Sequence, residues 1–245
     1  MGGHDIFLDI PVLAAVAFIA STVAAITGTG GGILLLPVMV AILGVRDAVP
    51  AYTLAQFVGN LSRVALNRKE IRIDVVAWFI AGAIPAAVLG SFLFAKSQDH
   101  VVVRALGLFL LFSVAYLRWS RKRVVGFAVK RFAPIGAVFG FVSAYLGSAG
   151  PFLAPFFLAF GLIRGAYIGT EALGTAIMHI TKMVTYGAAS VFSQNAAVVG
   201  LALAPIMVAG SFAGKRVVDR VSPRFFVGLI EAVLMIFGAI FLVRG

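Results

Sequence analysis

The chain contains no cysteine and only three histidines, and its 9 Asp and Glu face 20 Lys and Arg. Without thiols there are no disulfides and no cysteine chemistry, and compartment cannot be read from redox usage. His4, His100 and His179 lie far apart, and neither an HExxH motif nor paired-carboxylate spacing is present. No metal site and no cofactor are therefore expected. The segment from Met1 to Asp9 has two acids and no Lys or Arg, so it lacks the basic start of a secretory signal.

Charge of either sign is scarce, at 12% of residues, whereas 62% are hydrophobic and mean hydropathy is +1.08. Soluble domains average about 25% charged and 45–50% apolar residues. Stretches such as Val75 to Ala95 and Val101 to Leu117 carry almost no charge over about 20 residues, the length that crosses a bilayer core. Pro and Gly inside such runs suit membrane helices with functional breaks better than soluble core helices. The net charge of +11 invites a nucleic-acid reading, but its distribution argues against one. The basic residues gather in three short loops: Arg63, Arg68, Lys69 and Arg72; Arg118 to Arg131; and Lys215, Arg216, Arg220 and Arg224. Clusters at the ends of apolar spans are the positive-inside signal and place these loops in the cytoplasm. No basic groove interleaved with aromatics is present.

One unusual phrase occurs twice. Gly28-Thr29-Gly30-Gly31-Gly32, then Pro37, Gly44 and Arg46, is matched about 119 positions on by Gly147-Ser148-Ala149-Gly150-Pro151, then Pro155, Gly161 and Arg164. Pro85 with Gly90-Ser91-Phe92 returns likewise as Pro205 with Gly210-Ser211-Phe212. Hydropathy gives full helices over 48–67, 74–95, 102–119, 166–190, 196–214 and 224–243. The segments 10–44 and 132–162 are cut by the Gly-rich phrase, each into a re-entrant hairpin or two short spanning helices. The loop at 68–73 is basic while its equivalent near 191–196 is uncharged; the loop at 96–104 is lightly charged while that at 215–224 is basic. Equivalent loops thus face opposite sides. The expected fold is an all-α integral membrane protein of two inverted repeats, each a broken segment followed by three transmembrane helices. The repeats are residues 1–120 and 132–245, joined by a basic cytoplasmic linker at 121–131, with both termini outside. Arg244 at the outer end runs mildly against this topology.

The Gly-rich phrase looks like a dinucleotide-binding turn, but the strand and acid that such a turn requires are missing. In lipid, glycines unwind a helix, and free N–H groups at the start of the next half-helix hold an anion. Thr29, Gly30, Gly31 and Gly32, with Ser148 and Gly150, are the candidates; the alternative is close helix packing on small residues. Gln56, Asn60 and Arg63 share one helical face, and Thr175, His179 and Lys182 repeat that spacing 119 positions on. Polar residues on one face of a membrane helix imply a water- or ligand-filled cavity. Arg63 also fits a snorkelling interfacial residue, a reading that Lys182, about 12 Å of helix from its nearest end, does not allow. Glu171 and Glu231 sit in apolar spans and are candidates for proton coupling, or else for structural ion pairs. Pro85 and Pro205 read as kink or packing sites.

These features together, from about Ile10 to Leu242, resemble the TauE/SafE sulfite exporter family. The resemblance implies a multi-pass plasma-membrane permease moving small sulfur oxyanions or organosulfonates such as sulfoacetate, usually outward. The family's Gly-rich signature falls on Gly28, Gly30, Gly31 and Gly32, and again on Gly147 and Gly150, with Ala149 and Pro151 in place of glycines. The function expected is secondary transport of a small anion by alternating access around a midplane site, with membrane lipid and an optional proton as the other partners. An anion channel is the rival reading. An enzyme would need a nucleophile–base pair or metal ligands, and none is found.

Overall fold

Long apolar segments satisfy their backbone groups internally when water is absent, and the helix does this within one segment. The computed structural model describes residues 6–28, 32–120, 127–217 and 223–244, and among them forms ten α-helices and no strand. In chain order these are α1 (Ile6–Thr27), α2 (Gly32–Leu43), α3 (Val45–Asn67), α4 (Ile73–Lys96), α5 (Asp99–Ser120), α6 (Phe132–Leu146), α7 (Gly150–Ala159), α8 (Arg164–Ala188), α9 (Gln194–Val217) and α10 (Pro223–Arg244). Among the described residues five stretches are long and apolar enough to cross a membrane: Ile10–Thr27, Ile73–Lys96, Asp99–Tyr116, Val129–Leu146 and Gln194–Arg216.

The expected full helices all appear, one to three residues longer at most ends. The two broken segments are cut unequally. A 22-residue α1 precedes a 12-residue α2, and a 15-residue α6 precedes a 10-residue α7. At 1.5 Å per residue α2 and α7 reach about 18 and 15 Å, half of a ~30 Å hydrocarbon core. Each break is made by a glycine in the left-handed region, Gly28 at φ 86° and Gly147 at φ 95°. A second repeat-matched pair, Gly44 and Gly161, turns the chain after each short helix with φ of 75° and 94°.

Contacts fix the two ends of the bundle. At one end Arg46, at the start of α3, reaches carbonyls at the C-terminal end of α4 and Asp99, and Ser193 donates to Asp47 at 2.6 Å. At the other end Thr170 accepts from the Arg72 backbone N–H at 3.0 Å, and the Arg72 guanidinium covers the Phe160 ring at 5.8 Å. Helix α2 thus ends beside the first group and α7 beside the second. Helices α1 and α9 run in the same direction, Gly210 facing Phe18 and Gly214 facing Thr22; α4 and α6 do likewise, Gly82 facing Ala133 and Gly90 facing Phe141. Each broken segment therefore returns to the end it came from. Its first helix runs the length of the bundle, with Ala25 and Ile26 beside Lys215 and the Tyr145 hydroxyl bonded to Ser97, and its short second helix covers about half the way back. The expectation of two half-helices or two short spanning helices gives way to one long and one short helix.

Helix contacts are close because small residues face backbone. A Cβ at Gly82 would lie 1.9 Å from the Ala133 carbonyl oxygen, and one at Gly136 would lie 2.1 Å from that of Phe79. Pro85 and Pro205 both sit inside these packed helices, α4 and α9. The outer surface is apolar, with Leu89, Val184 and Leu201 all 60% exposed or more, while Gln56, Asn60, Arg63, Glu171, His179 and Lys182 are buried. Apolar residues outside and ionisable ones inside is the distribution a bilayer imposes.

Candidate functional site

The polar residues of α3 and α8 converge because the two helices pack on each other at the centre of the bundle. On α3 the inward stripe is Tyr52, Gln56, Asn60 and Arg63, and on α8 it is Glu171, Thr175, His179 and Lys182. Each stripe steps by four, four and three, one helical face, and each member lies 119 positions from its counterpart. All but Lys182 line one small cavity together with Gly28, Gly32, Phe139, Ser143, Ser148, Ala149 and Gly150. Its volume is about 30 Å³, room for about one or two waters.

The first turns of both short helices open on this cavity, through Gly32 of α2 and Gly150 of α7. Each brings the positive end of a helix dipole, and at α7 Pro151 has no N–H and the Phe152 N–H donates to the Ala149 carbonyl at 3.0 Å. Only glycine fits at 32, since a Cβ there would lie 2.0 Å from the Tyr52 hydroxyl. Gln56 Nε2 donates to that hydroxyl at 3.2 Å, and Tyr52 donates in turn to Ser148 Oγ at 3.1 Å. This chain ties α3 to the second break. Thr175 Oγ1 donates to the Glu171 carbonyl at 2.9 Å, within its own helix.

Three buried polar atoms in the lining have no hydrogen-bond partner among the described residues: Arg63 Nε, Glu171 Oε2 and His179 Nδ1. Arg63 is only 5% exposed, and its Nη2 donates to Asn60 Oδ1. Buried donors and acceptors are ordinarily satisfied, so free ones gathered around a cavity point to a ligand or water between them. Arg63 also borders a second cavity of about 340 Å³, lined by Ala25, Ile26, Leu66, Asn67, Glu70, Arg164, Gly165, Ile168 and Lys215. The guanidinium thus stands between the small central cavity and a wider vestibule at the Arg72 end of the bundle.

Of the residues expected from sequence, the cavity gathers Gly32, Gln56, Asn60, Ser148, Gly150, Thr175, His179 and Glu171. Lys182 is fully buried behind it, donating to the Ser143 and Gly147 carbonyls, both at 2.9 Å. Those carbonyls end α6, so the ammonium neutralises the negative end of that helix. Glu231 lies half-buried on α10 and does not line the cavity. Thr29, Gly30 and Gly31 fall outside the described residues. Tyr52 is not among the residues expected from sequence, which leaves Arg63 open between the polar face and the interface. The signal for both was the register: Tyr52 precedes Gln56 by one turn and matches Glu171 across the repeat, and Arg63 matches Lys182.

Apolar outer faces, long apolar helices and a buried polar cavity define a multi-pass membrane protein. The model of the sulfite exporter TauE/SafE family matches residues 13–242, nearly the whole chain, and the protein belongs to that family of membrane transporters. Comparison with curated proteins and with solved structures returns no match.

Proposed function

We propose that the protein is a secondary transporter of a small sulfur oxyanion, sulfite above all, working by alternating access around the cavity between α3 and α8. The observation that carries this reading is the set of unpartnered groups in that cavity: Arg63 Nε, His179 Nδ1 and Glu171 Oε2, with the first turns of α2 and α7 beside them. Oriented N–H groups plus one guanidinium match an oxyanion. The small volume favours a compact ion. A sulfonate with an organic tail would have to extend past Arg63 into the vestibule.

Two inverted repeats supply the alternating geometry. In support, α4 packs on α6 as its counterpart α9 packs on α1, α3 packs on α9 as α8 packs on α4, and α3–α8 and α5–α10 pair across the centre. The Arg72 end carries Arg68, Lys69, Lys130, Arg131, Lys215 and Arg216, which on the positive-inside rule faces the cytoplasm and leaves both termini outside. Glu171 faces the same cavity as the anion, so its protonation offsets the anion's charge and couples a proton to transport in the same direction.

Counterflow of labelled sulfite in proteoliposomes, with sulfate, acetate and chloride as competitors, tests the reading. Saturable exchange with sulfite preferred is expected. Flux that does not saturate and ignores an imposed proton gradient would instead identify a channel.

A further inference from the structure

We propose that Arg63 and Lys182 take turns as the cation of the transported anion, each being parked on the carbonyl end of a broken helix while the other serves. The proposal rests on the inverted-repeat transporter reading. The two residues hold equivalent places, 119 positions apart on α3 and α8, yet they are engaged differently. Lys182 is parked on Ser143 and Gly147, the last carbonyls of α6. The matching positions for Arg63 are Ala24 and Gly28, at the end of α1. Arg63 lies beside that end, sharing one cavity with Gly28 and the other with Ala25 and Ile26, but its Nε is unbound.

The partner of each cation in its serving position is matched as well. Arg63 donates to Asn60 Oδ1, and the counterpart of Asn60 is His179, whose Nδ1 has no partner. A released Lys182 reaches His179 Nδ1 as Arg63 now reaches Asn60. A buried cation without an anion or carbonyls to hold it is strongly disfavoured, so the idle cation must be parked. Parking draws the end of α6 or α1 against α8 or α3 and closes that side.

The two ends of the bundle differ accordingly. Leu66 and Asn67 are half-buried and line the vestibule, whereas their counterparts Thr185 and Tyr186 are 6% and 0% exposed. The structure is therefore closed on the Lys182 side and open on the Arg63 side. Releasing Lys182 and parking Arg63 on α1 reverses this, and an anion held between the two cations is handed from one to the other.

Because the chain lacks cysteine, single reporters are clean. Leu66→Cys and Thr185→Cys are labelled with a maleimide in the purified full-length protein, in otherwise wild-type, Lys182→Met and Arg63→Met backgrounds. Lys182→Met should speed labelling at 185 and slow it at 66, changing their ratio by roughly tenfold, and Arg63→Met should move the ratio the other way. Shifts in the same direction, or none, would overturn the exchange. If Lys182→Met does not yield folded protein, Lys182→Gln removes the charge and is read in the same way. Sulfite binding to the wild type is measured alongside. Binding without opposed labelling shifts rejects the exchange alone, whereas absent binding rejects the transporter reading.

Discussion

Glycine 32 is held by its neighbour: a Cβ there would meet the Tyr52 hydroxyl at 2.0 Å but its ring carbon Cζ only at 3.3 Å. Gly32→Ala should therefore lower stability by roughly 1–3 kcal/mol, the usual cost of overpacking. Adding Tyr52→Phe removes the clashing oxygen and should recover part of that loss. Thermal unfolding of both variants and the double variant in detergent reads the coupling, and strictly additive losses would contradict it. Glu171 offers a second residue-scale test. If its protonation accompanies anion binding, affinity is full below its titration and falls about tenfold per pH unit above it. Glu171→Gln should keep the low-pH affinity and lose that slope, measured with an anion whose charge does not change with pH. Equal slopes would remove Glu171 from coupling. At this scale the sequence revealed most of the polar lining, because helical spacing and a repeat are one-dimensional signals. It left Arg63 open between the polar face and the interface because hydropathy cannot tell an arginine that snorkels from one that turns inward. The orientation was legible only through the repeat, which pairs Arg63 with a lysine deep in its span.

Among the elements, the tightest contact is α4 against α6. Gly82→Ala would push a methyl to within 1.9 Å of the Ala133 carbonyl oxygen, which belongs to backbone and cannot swing aside. The helices must separate, and the melting temperature of the detergent-solubilised protein should fall by several degrees. Gly187→Ala, on an exposed turn of α8 with nothing within 4 Å, should leave it unchanged. Equal effects would mean that helix propensity, and not helix approach, governs both sites. Helix number and bounds were legible from apolar run length. The form of the two broken segments was not, since a 12-residue apolar piece fits either a re-entrant arm or a short span until its neighbours are known. The packing of α1 along α9 and of α6 along α4 shows a long first helix followed by a half-length return, and such long-range contacts leave no local trace in sequence.

For the whole molecule, family membership and the buried cavity agree on a membrane transporter, and the proposed substrate rests on one charged side chain. Arg63 Nε is the free buried donor closest in chemistry to what an oxyanion requires. Sulfite binding to the purified protein, measured by calorimetry for wild type and Arg63→Gln with intact folding checked by chromatography, tests this most directly. The account predicts saturable binding that weakens about 10- to 100-fold in the variant, the effect of losing a ~1.5–3 kcal/mol hydrogen bond to a charged group. Unchanged affinity in a folded Arg63→Gln would contradict it.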